Sequence, residues 1–247
     1  MVINATWPRA GLAGWDGTEG GARALQCTLA GEVELGDGFR PTLTTVGGFS
    51  ARTAGDGRRV RAAAVLMDLQ TLQPLHVDVR EVEAPLPYVR ELLGFRALPA
   101  LLESLDALPY RPEVAFVEGH GIAHPRRCGL ASHFGLATGV PTIGVARDRL
   151  AGSAPEPGPT PCDATRLREG DQQVGWSVRT CRDARPVFVS PGHRVSLKSA
   201  LELTLRSLQA QRLPRPVDLA HELAHEPGGT GPRRWHPGAR SGPSLHT

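Results

Sequence analysis

The sequence predicts an α/β domain in which a mixed sheet is flanked by helices, and three observations support this fold class. The chain has 247 residues, 40% of them hydrophobic and 21% charged, which is enough apolar material for one sizeable core. Its first half contains three consecutive strand patterns with short links, as in an antiparallel meander. Its second half alternates helical and strand patterns, which is typical of parallel strands joined by helices. We therefore expect a single domain.

The elements of the first half follow from the spacing of apolar residues. Residues 22–34 have helical spacing. Residues 41–50 are rich in Thr and Val and predict the first strand, while the apolar run at 60–69 predicts a second, largely buried strand. Between them, Asp56-Gly57 is a hairpin turn signal. Residues 76–83 alternate apolar and polar side chains, which predicts a half-exposed third strand.

The second half continues with alternating elements. In an open α/β sheet, a ligand binds where the parallel strands end, so we expect a site near Glu118 and Val145. The predicted helices cover residues 88–108, 129–138 and 196–211, the predicted strands cover 114–117, 142–145, 175–179 and 187–190, and a loop covers 151–160.

Glycine and proline mark the boundaries of the domain. Glycines among scattered polar residues predict that residues 1–21 are a disordered lead-in. A segment dominated by Gly, Pro and Arg predicts a disordered tail at residues 227–247. The folded domain is therefore expected to span residues 22–226.

Composition narrows the cellular context and the possible partners. No apolar run reaches 18 residues and no basic segment leads into an apolar one at the start, so we expect neither a membrane partner nor secretion. Four widely spaced cysteines without a C-x-x-C pair indicate reduced thiols and a cytoplasmic protein. The net charge is +3, and the tail supplies three arginines, so the body is formally neutral and its charge alone does not indicate nucleic-acid binding. We expect a monomer.

The segment from Phe116 to Gly129 has the highest density of groups that could perform chemistry. A carboxylate closes a predicted strand, two glycines allow a ligand to approach the backbone, and two arginines could clamp phosphate oxygens in a bidentate fork. A tight strand-to-helix turn with a solvated basic patch is an equally plain interpretation of the same residues. The residues concerned are Glu118, Gly119, His120, Gly121, Arg126 and Arg127.

Several stretches, in the same order and with similar spacing, resemble the endonuclease V family, which nicks nucleic acid near deaminated adenine (inosine). The resemblance covers about residues 22–225 and implies a ribonuclease H-like fold. The matching stretches are 87–89, 95–96, 99–102, 116–127, 132–135, 141–146, 192–196 and 212–214.

The resemblance implies a Mg²⁺ ion held by three acidic residues, which activates water for phosphodiester hydrolysis. The three acidic positions are matched to Val46, Ala97 and Glu118, so only Glu118 is expected to ligate a metal. A family lysine is replaced by Arg147, and a family histidine is matched by His193. The resemblance therefore gives catalytic roles to Glu118, Arg147 and His193 while it predicts a deficient metal site.

The nucleic-acid side of the resemblance is better preserved. Pro87-Tyr88-Val89 resembles the family's wedge, whose aromatic ring enters the duplex beside the extruded base. An ordinary half-buried aromatic residue is the alternative for Tyr88. Gly119, His120 and Gly121 resemble the loop that lines the pocket for the extruded base. The implied partner is nucleic acid that contains inosine or another deaminated base.

Three functions remain open at this point. The first is recognition of inosine-bearing strands with impaired hydrolysis. The second is an active endonuclease in which Glu118 works with a substitute ligand, for which the candidate carboxylates are Glu91, Asp56 and Asp68. The third is a zinc hydrolase, because His221 and His225 form an H-E-x-x-H pattern on a predicted helix, although a third histidine is missing.

Overall fold

The computed structural model describes residues 12–55, 57–226 and 230–233, and within them the chain forms five α-helices and nine strands. The predicted lead-in and tail lie mostly outside the described residues, as does the turn residue Asp56. The helices are α1 (Glu19–Ala30), α2 (Leu93–Asp106), α3 (Leu130–Thr138), α4 (Leu197–Arg206) and α5 (Arg215–His225). The strands are β1 (Thr45–Ala54), β2 (Arg59–Asp68), β3 (Pro74–Glu83), β4 (Val114–Glu118), β5 (Thr142–Ala146), β6 (Ala164–Glu169), β7 (Gln172–Val178), β8 (Val187–His193) and β9 (Gly231–Arg233).

All nine strands join one mixed sheet in the order β6-β7-β8-β5-β4-β1-β2-β3-β9. Strands β1, β2 and β3 form the predicted antiparallel meander. Strand β4 pairs in parallel with both β1 and β5, so β4 occupies the middle of the sheet. Strand β8 returns antiparallel to β5. The predicted fold class, a mixed sheet flanked by helices in one domain, is therefore confirmed.

Several boundaries differ from the predicted ones. Helix α1 begins at Glu19 rather than residue 22, because the Thr18 side chain accepts a hydrogen bond from the Gly21 amide and caps the helix. The helix predicted at 88–108 begins only at Leu93, after a short 3₁₀ turn. Strand β6 was not predicted; it is a sheet edge on which Leu167 is the buried residue. Edge strands of this kind give a weak alternation signal.

The core consists of two apolar layers, one on each face of the sheet. One layer packs sheet residues such as Val46 and Phe116 against α4 and α5. The other packs Phe49 and its neighbours against α2 and α3, with the rings of Phe49 and Phe134 4.8 Å apart. Helices on both faces leave the carboxyl ends of β4 and β5 as the place where a ligand could reach the sheet. No helix in the described part of the chain is long and apolar enough to cross a membrane.

Helix α5 lies unusually close to β1. A Cβ atom added to Gly48 would fall far inside van der Waals contact with the backbone carbonyl of Pro216, in the first turn of α5. Only glycine at position 48 therefore allows the helix to approach this closely. The close approach brings the last turns of α5 against the end of β4.

Candidate active site

Glu118 is the central residue of the site, and it ends β4 in the middle of the sheet. Its side chain is 18% exposed. The hydroxyl of Ser50 donates a hydrogen bond to Oε2 over 2.6 Å, and Nδ1 of His221 lies 2.9 Å from the same oxygen. Nε of Arg147 donates to Oε1 over 3.2 Å. Three elements, β1, α5 and the residue that follows β5, thus converge on one carboxylate.

The strand register identifies the residue on β1 that faces Glu118, and this corrects the prediction for Val46. Phe49 pairs with Val117, so Ser50 lies opposite Glu118, in agreement with their hydrogen bond. Val46 pairs with Val114, four residues earlier on β1, or about 13 Å along the strand. Val46 is fully buried in the apolar layer under α5. The position at which a carboxylate could meet Glu118 is Ser50, not Val46.

The histidine at this site is His221, and the predicted catalytic residue His193 lies elsewhere. His193 pairs with Thr142 at the start of β5, whereas Glu118 pairs with Val145, three residues further along. The two side chains are thus separated by about 10 Å along the strands and by two strand spacings. His193 is buried, and its Nδ1 accepts the Glu34 amide over 3.3 Å. Burial lowers the pKa of His193, which fits a neutral structural histidine.

The sequence did contain a signal for His221. It stands four residues after Val217 and three before Ala224, both of which are buried on the sheet-facing side of α5. A histidine at this spacing within an apolar face points toward the sheet. The H-E-x-x-H pattern lies on this helix, but it predicted zinc ligation rather than a contact with Glu118.

Ala97 occupies the other position at which the resemblance implied a metal ligand. It lies in α2 and is fully buried in the apolar layer on the opposite face of the sheet from α5. Its methyl group offers no donor atom, as expected from the sequence.

The carboxylates considered as substitutes do not reach the site. Glu91 is paired with Arg126 over 2.9 Å. Asp68 pairs with Thr45 at the other end of β1 and accepts hydrogen bonds from Thr71 in its own turn. Asp56 lies outside the described residues. In the part of the chain that the structure describes, no three His, Cys, Asp or Glu side chains are placed to hold a metal ion together.

A cleft of about 320 Å³ opens beside Glu118 at the ends of β4 and β5. Tyr88 lines it and is 62% exposed, and His120 lines it with Nε2 2.8 Å from the carbonyl oxygen of Asp148. Burial, as the largest influence, lowers the pKa of His120. Gly119, which lines the cleft, has φ 150°, a conformation that favours glycine. Of the predicted wedge and base-pocket residues, Tyr88, Gly119 and His120 line this cleft. Pro87, Val89 and Gly121 are not among its lining residues.

Arg126 and Arg127, which the sequence suggested as phosphate clamps, lie away from this cleft. Arg126 donates to Gln26 and Glu91 and ties its loop to α1 and the 3₁₀ turn. Arg127 adopts φ 56° and pairs with Glu169 over 2.5 Å. The structure uses both guanidinium groups to fix the loop after Gly121 rather than to line the cleft.

The contacts of Glu118 determine its ionisation. Burial alone would raise its pKa, but hydrogen bonds from His221 and Ser50 and the charge of Arg147 together hold the pKa below its ordinary value of 4.5. Because an ionised carboxylate can only accept hydrogen bonds, Nδ1 of His221 carries the proton in its contact with Glu118. The site at neutral pH is thus an ionised carboxylate held by three donors.

The depressed pKa of Glu118 predicts a pH dependence of stability. The contribution of Glu118 is fully present above pH 4.5 and is lost as the pH falls through its lower folded-state pKa. We expect Glu118→Gln to lower the free energy of unfolding at pH 7 by about 1–3 kcal/mol, because Arg147 loses its partner. In urea denaturation from pH 7 to pH 3, the difference in free energy of unfolding between the native chain and the variant should become smaller below pH 4.5. A difference that stays constant with pH would contradict this prediction. Glu103→Gln, at an exposed position on α2, is the control.

Comparison with known proteins agrees with this architecture. The family model described as Endonuclease V matches residues 27–222. Endonuclease V of Xanthomonas axonopodis pv. citri is 50% identical over 217 residues, which cover 88% of this chain and 92% of that protein. The crystal structure of endonuclease V from Streptomyces avermitilis superposes with a TM-score of 0.80 at 42% identity, covering 86% of this chain and 93% of the other.

A more distant solved structure shares the fold. It is the Ciona intestinalis endonuclease V in complex with a 24mer DNA that contains an inosine, with a TM-score of 0.72 at 24% identity, covering 82% of this chain and 94% of that one. These matches span most of the chain and confirm the ribonuclease H-like fold. The chain belongs to the endonuclease V family.

Proposed function

We propose that this protein recognises inosine-bearing strands of nucleic acid and that its phosphodiester hydrolysis is impaired. The observation that carries the second part is the state of Glu118, whose two carboxylate oxygens are engaged by Ser50, His221 and Arg147. The first part is supported by membership of the family and by the exposed Tyr88 beside the cleft.

The residues present do not suit the Mg²⁺ ion that the family implies. Magnesium takes near-octahedral oxygen ligands and usually at least one or two free carboxylates. Among the described residues, no three His, Cys, Asp or Glu side chains are placed to hold a metal ion together, and a guanidinium group stands 3.2 Å from one oxygen of Glu118. The residue that faces Glu118 on β1 is Ser50, and Ala97 offers no donor atom. Like-charge repulsion between Arg147 and an incoming cation opposes binding further. Glu118 and Arg147 therefore contribute to the architecture of the cleft rather than to a metal site.

Recognition is assigned to the residues around the cleft. Tyr88 is proposed as the wedge, with Pro87 and Val89 fixing its backbone. Gly119, His120 and Gly121 are proposed to border the extruded base, because a loop with two glycines lets a base contact main-chain groups. The pKa of His120 is lowered by burial, so its ring is neutral at pH 7 and can hydrogen-bond an uncharged base.

An active metal-dependent endonuclease is the second candidate, and the position of His221 favours it. Nδ1 of His221 lies 2.9 Å from a carboxylate oxygen of Glu118, so under this second candidate His221 would be the substitute ligand beside Glu118. Imidazole suits a transition metal better than magnesium. Zinc-hydrolase chemistry at His221 and His225 lacks a third ligand among the described residues.

A paired nicking and binding experiment tests the proposal. We expect no cleavage of an inosine-containing oligonucleotide in Mg²⁺ or Mn²⁺, together with tighter binding than to a matched control strand at the same salt concentration. Tyr88→Ala should weaken that binding by about 5- to 150-fold, since base–aromatic stacking contributes about 1–3 kcal/mol. Tyr110→Ala removes a tyrosine of similar exposure at the amino end of β4 and should change binding little.

Two outcomes would decide against the proposal. Cleavage that disappears in Glu118→Ala would establish the active endonuclease instead. Equal affinity for inosine and control strands would remove the recognition function. The same measurement with DNA and with RNA strands would show which of the two the protein binds more tightly.

The proposal also includes a cytoplasmic, monomeric protein. All four cysteines are free thiols in the structure, which suits a reducing compartment. Sedimentation of the purified chain tests the oligomeric state.

A further inference from the structure

We propose that Arg52 and Arg147 form a metal-independent binding site for a phosphodiester group in the cleft beside Glu118. This inference rests on the proposed function, because it names how the cleft would hold the strand. Arg52 follows Ser50 by two residues on β1, so both side chains leave the same face of the sheet. Both arginines line the cleft together with Glu118 and Tyr88.

The two guanidinium groups differ in how they are satisfied. Arg147 is held by Glu118, and this ion pair fixes its position. Within the described residues, by contrast, no side-chain hydrogen bond or ion pair reaches Arg52, and its Nε is buried without an acceptor. A buried donor without a partner is costly in a folded protein and indicates a missing acceptor. An oxygen-rich ligand at the cleft would supply that acceptor.

The charges around the cleft specify an anion. Its lining contains four arginines and two acids, Glu118 and Asp148, which leaves a formal charge of +2. Arg96 is used inside the protein, because it donates to the carbonyl oxygens of Leu86 and Gly57. Arg90 lies at the surface and donates to the carbonyl oxygen of Arg149. Arg52 is therefore the arginine of the cleft lining to which the described residues supply neither a side-chain hydrogen bond nor an ion pair.

Arginine suits a phosphate group for geometric reasons. Its planar fork can donate two parallel hydrogen bonds to two phosphate oxygens, and it keeps its charge at all physiological pH values. Two such groups around one cleft can neutralise a phosphodiester without a divalent ion. The exposed Tyr88 at the same cleft favours a phosphate within a nucleic-acid strand over a free phosphate ion.

Binding in the presence of EDTA tests the inference. The probe is a fluorescein-labelled single strand with one inosine, titrated by anisotropy at several salt concentrations. Arg52→Gln is expected to weaken binding about tenfold or more and to reduce the salt slope by about one unit. Arg206→Gln removes an exposed arginine from the end of α4, outside the cleft, and should change affinity less than twofold. Arg52→Lys keeps the charge without the fork and should retain the salt slope while binding more weakly than the native chain.

The outcomes separate this inference from the proposed function. Native affinity in Arg52→Gln overturns the arginine site, as does binding by the native chain that requires Mg²⁺, and in both cases inosine recognition survives. Failure of the native chain to prefer inosine strands in any buffer overturns the proposed function itself. Inorganic phosphate should compete only at millimolar concentration; displacement at micromolar phosphate would show a site for the free anion and would overturn the assignment to a strand. If Arg52→Gln fails to fold, the affinity of Arg52→Lys relative to the native chain still tests the arginine site, because unchanged affinity in Arg52→Lys would overturn it.

Discussion

A chain that carries Ser50→Asp, Ala97→Glu and Glu118→Asp together is expected to nick inosine-containing strands in the presence of Mg²⁺, at least about a hundredfold faster than the native chain. Ser50 lies opposite Glu118, so an aspartate there places a second carboxylate beside the first. The shorter Asp at position 118 withdraws one oxygen ligand from Arg147 and leaves room for a cation. Nicking of a labelled oligonucleotide at several Mg²⁺ concentrations, with EDTA as the blank, measures the effect.

The matched control replaces Ser50→Asp by Val46→Asp in the same triple variant. Val46 is fully buried in an apolar layer, where an unpaired carboxylate costs several kcal/mol. That chain should be inert and less stable in urea than the Ser50 variant, because both variants carry Ala97→Glu at the same buried position and differ only at Val46 and Ser50. If the Val46 variant nicks and the Ser50 variant does not, the register argument for the site fails. If neither nicks while both fold and bind, the proposed defect in hydrolysis lies outside the carboxylate positions.

The contrast between Val46 and Ser50 shows that the sequence predicts the strands but not the register between them. The meander and the alternation of helix and strand are local patterns, and they were sufficient to predict the fold class. The residue that faces Glu118, however, depends on the register between β1 and β4, whose paired residues are 68 positions apart. When a motif is aligned to a strand with an error of an even number of residues, the wrongly matched residue lies on the same face of the strand as the correct one. The alternation of apolar and polar residues therefore cannot reveal the error.

The two histidines show the same limit in another form. His193 is the last residue of β8, in a motif that matches the family, yet β8 runs antiparallel to β5, so its end lies away from Glu118. His221 belongs to a helix that the sequence predicted correctly, and only the packing of α5 on β1 brings it to the carboxylate. Arg126 and Arg127 were grouped with Glu118 because they are near it in sequence, but the loop after Gly121 carries them to other partners.

Gly48→Ala is expected to destabilise the protein by about 3 kcal/mol, the largest single-residue effect that we predict for the packing of the site. The added Cβ would overlap the backbone carbonyl of Pro216. Because the Cβ is fixed to the backbone and the carbonyl is part of it, no side-chain rotation relieves the clash. Helix α5 would have to withdraw from β1. The contact of His221 with Glu118 would then lengthen, and the pKa of Glu118 would move back toward its ordinary value because its first favourable hydrogen bond is lost.

The control is Gly36→Ala, because nothing lies within 4 Å of a Cβ at position 36 and the substitution should change stability by less than about 0.5 kcal/mol. Urea denaturation of both variants at pH 7 and pH 4 separates a packing effect from an electrostatic one. At pH 4 the deficit of Gly48→Ala should shrink slightly, because part of it is the lost partner of an ionised Glu118 and that part fades on protonation. Equal stability of the two variants would mean that α5 can withdraw without cost. The position of His221 would then be set by its hydrogen bond to Glu118 rather than by the close approach of α5 to β1.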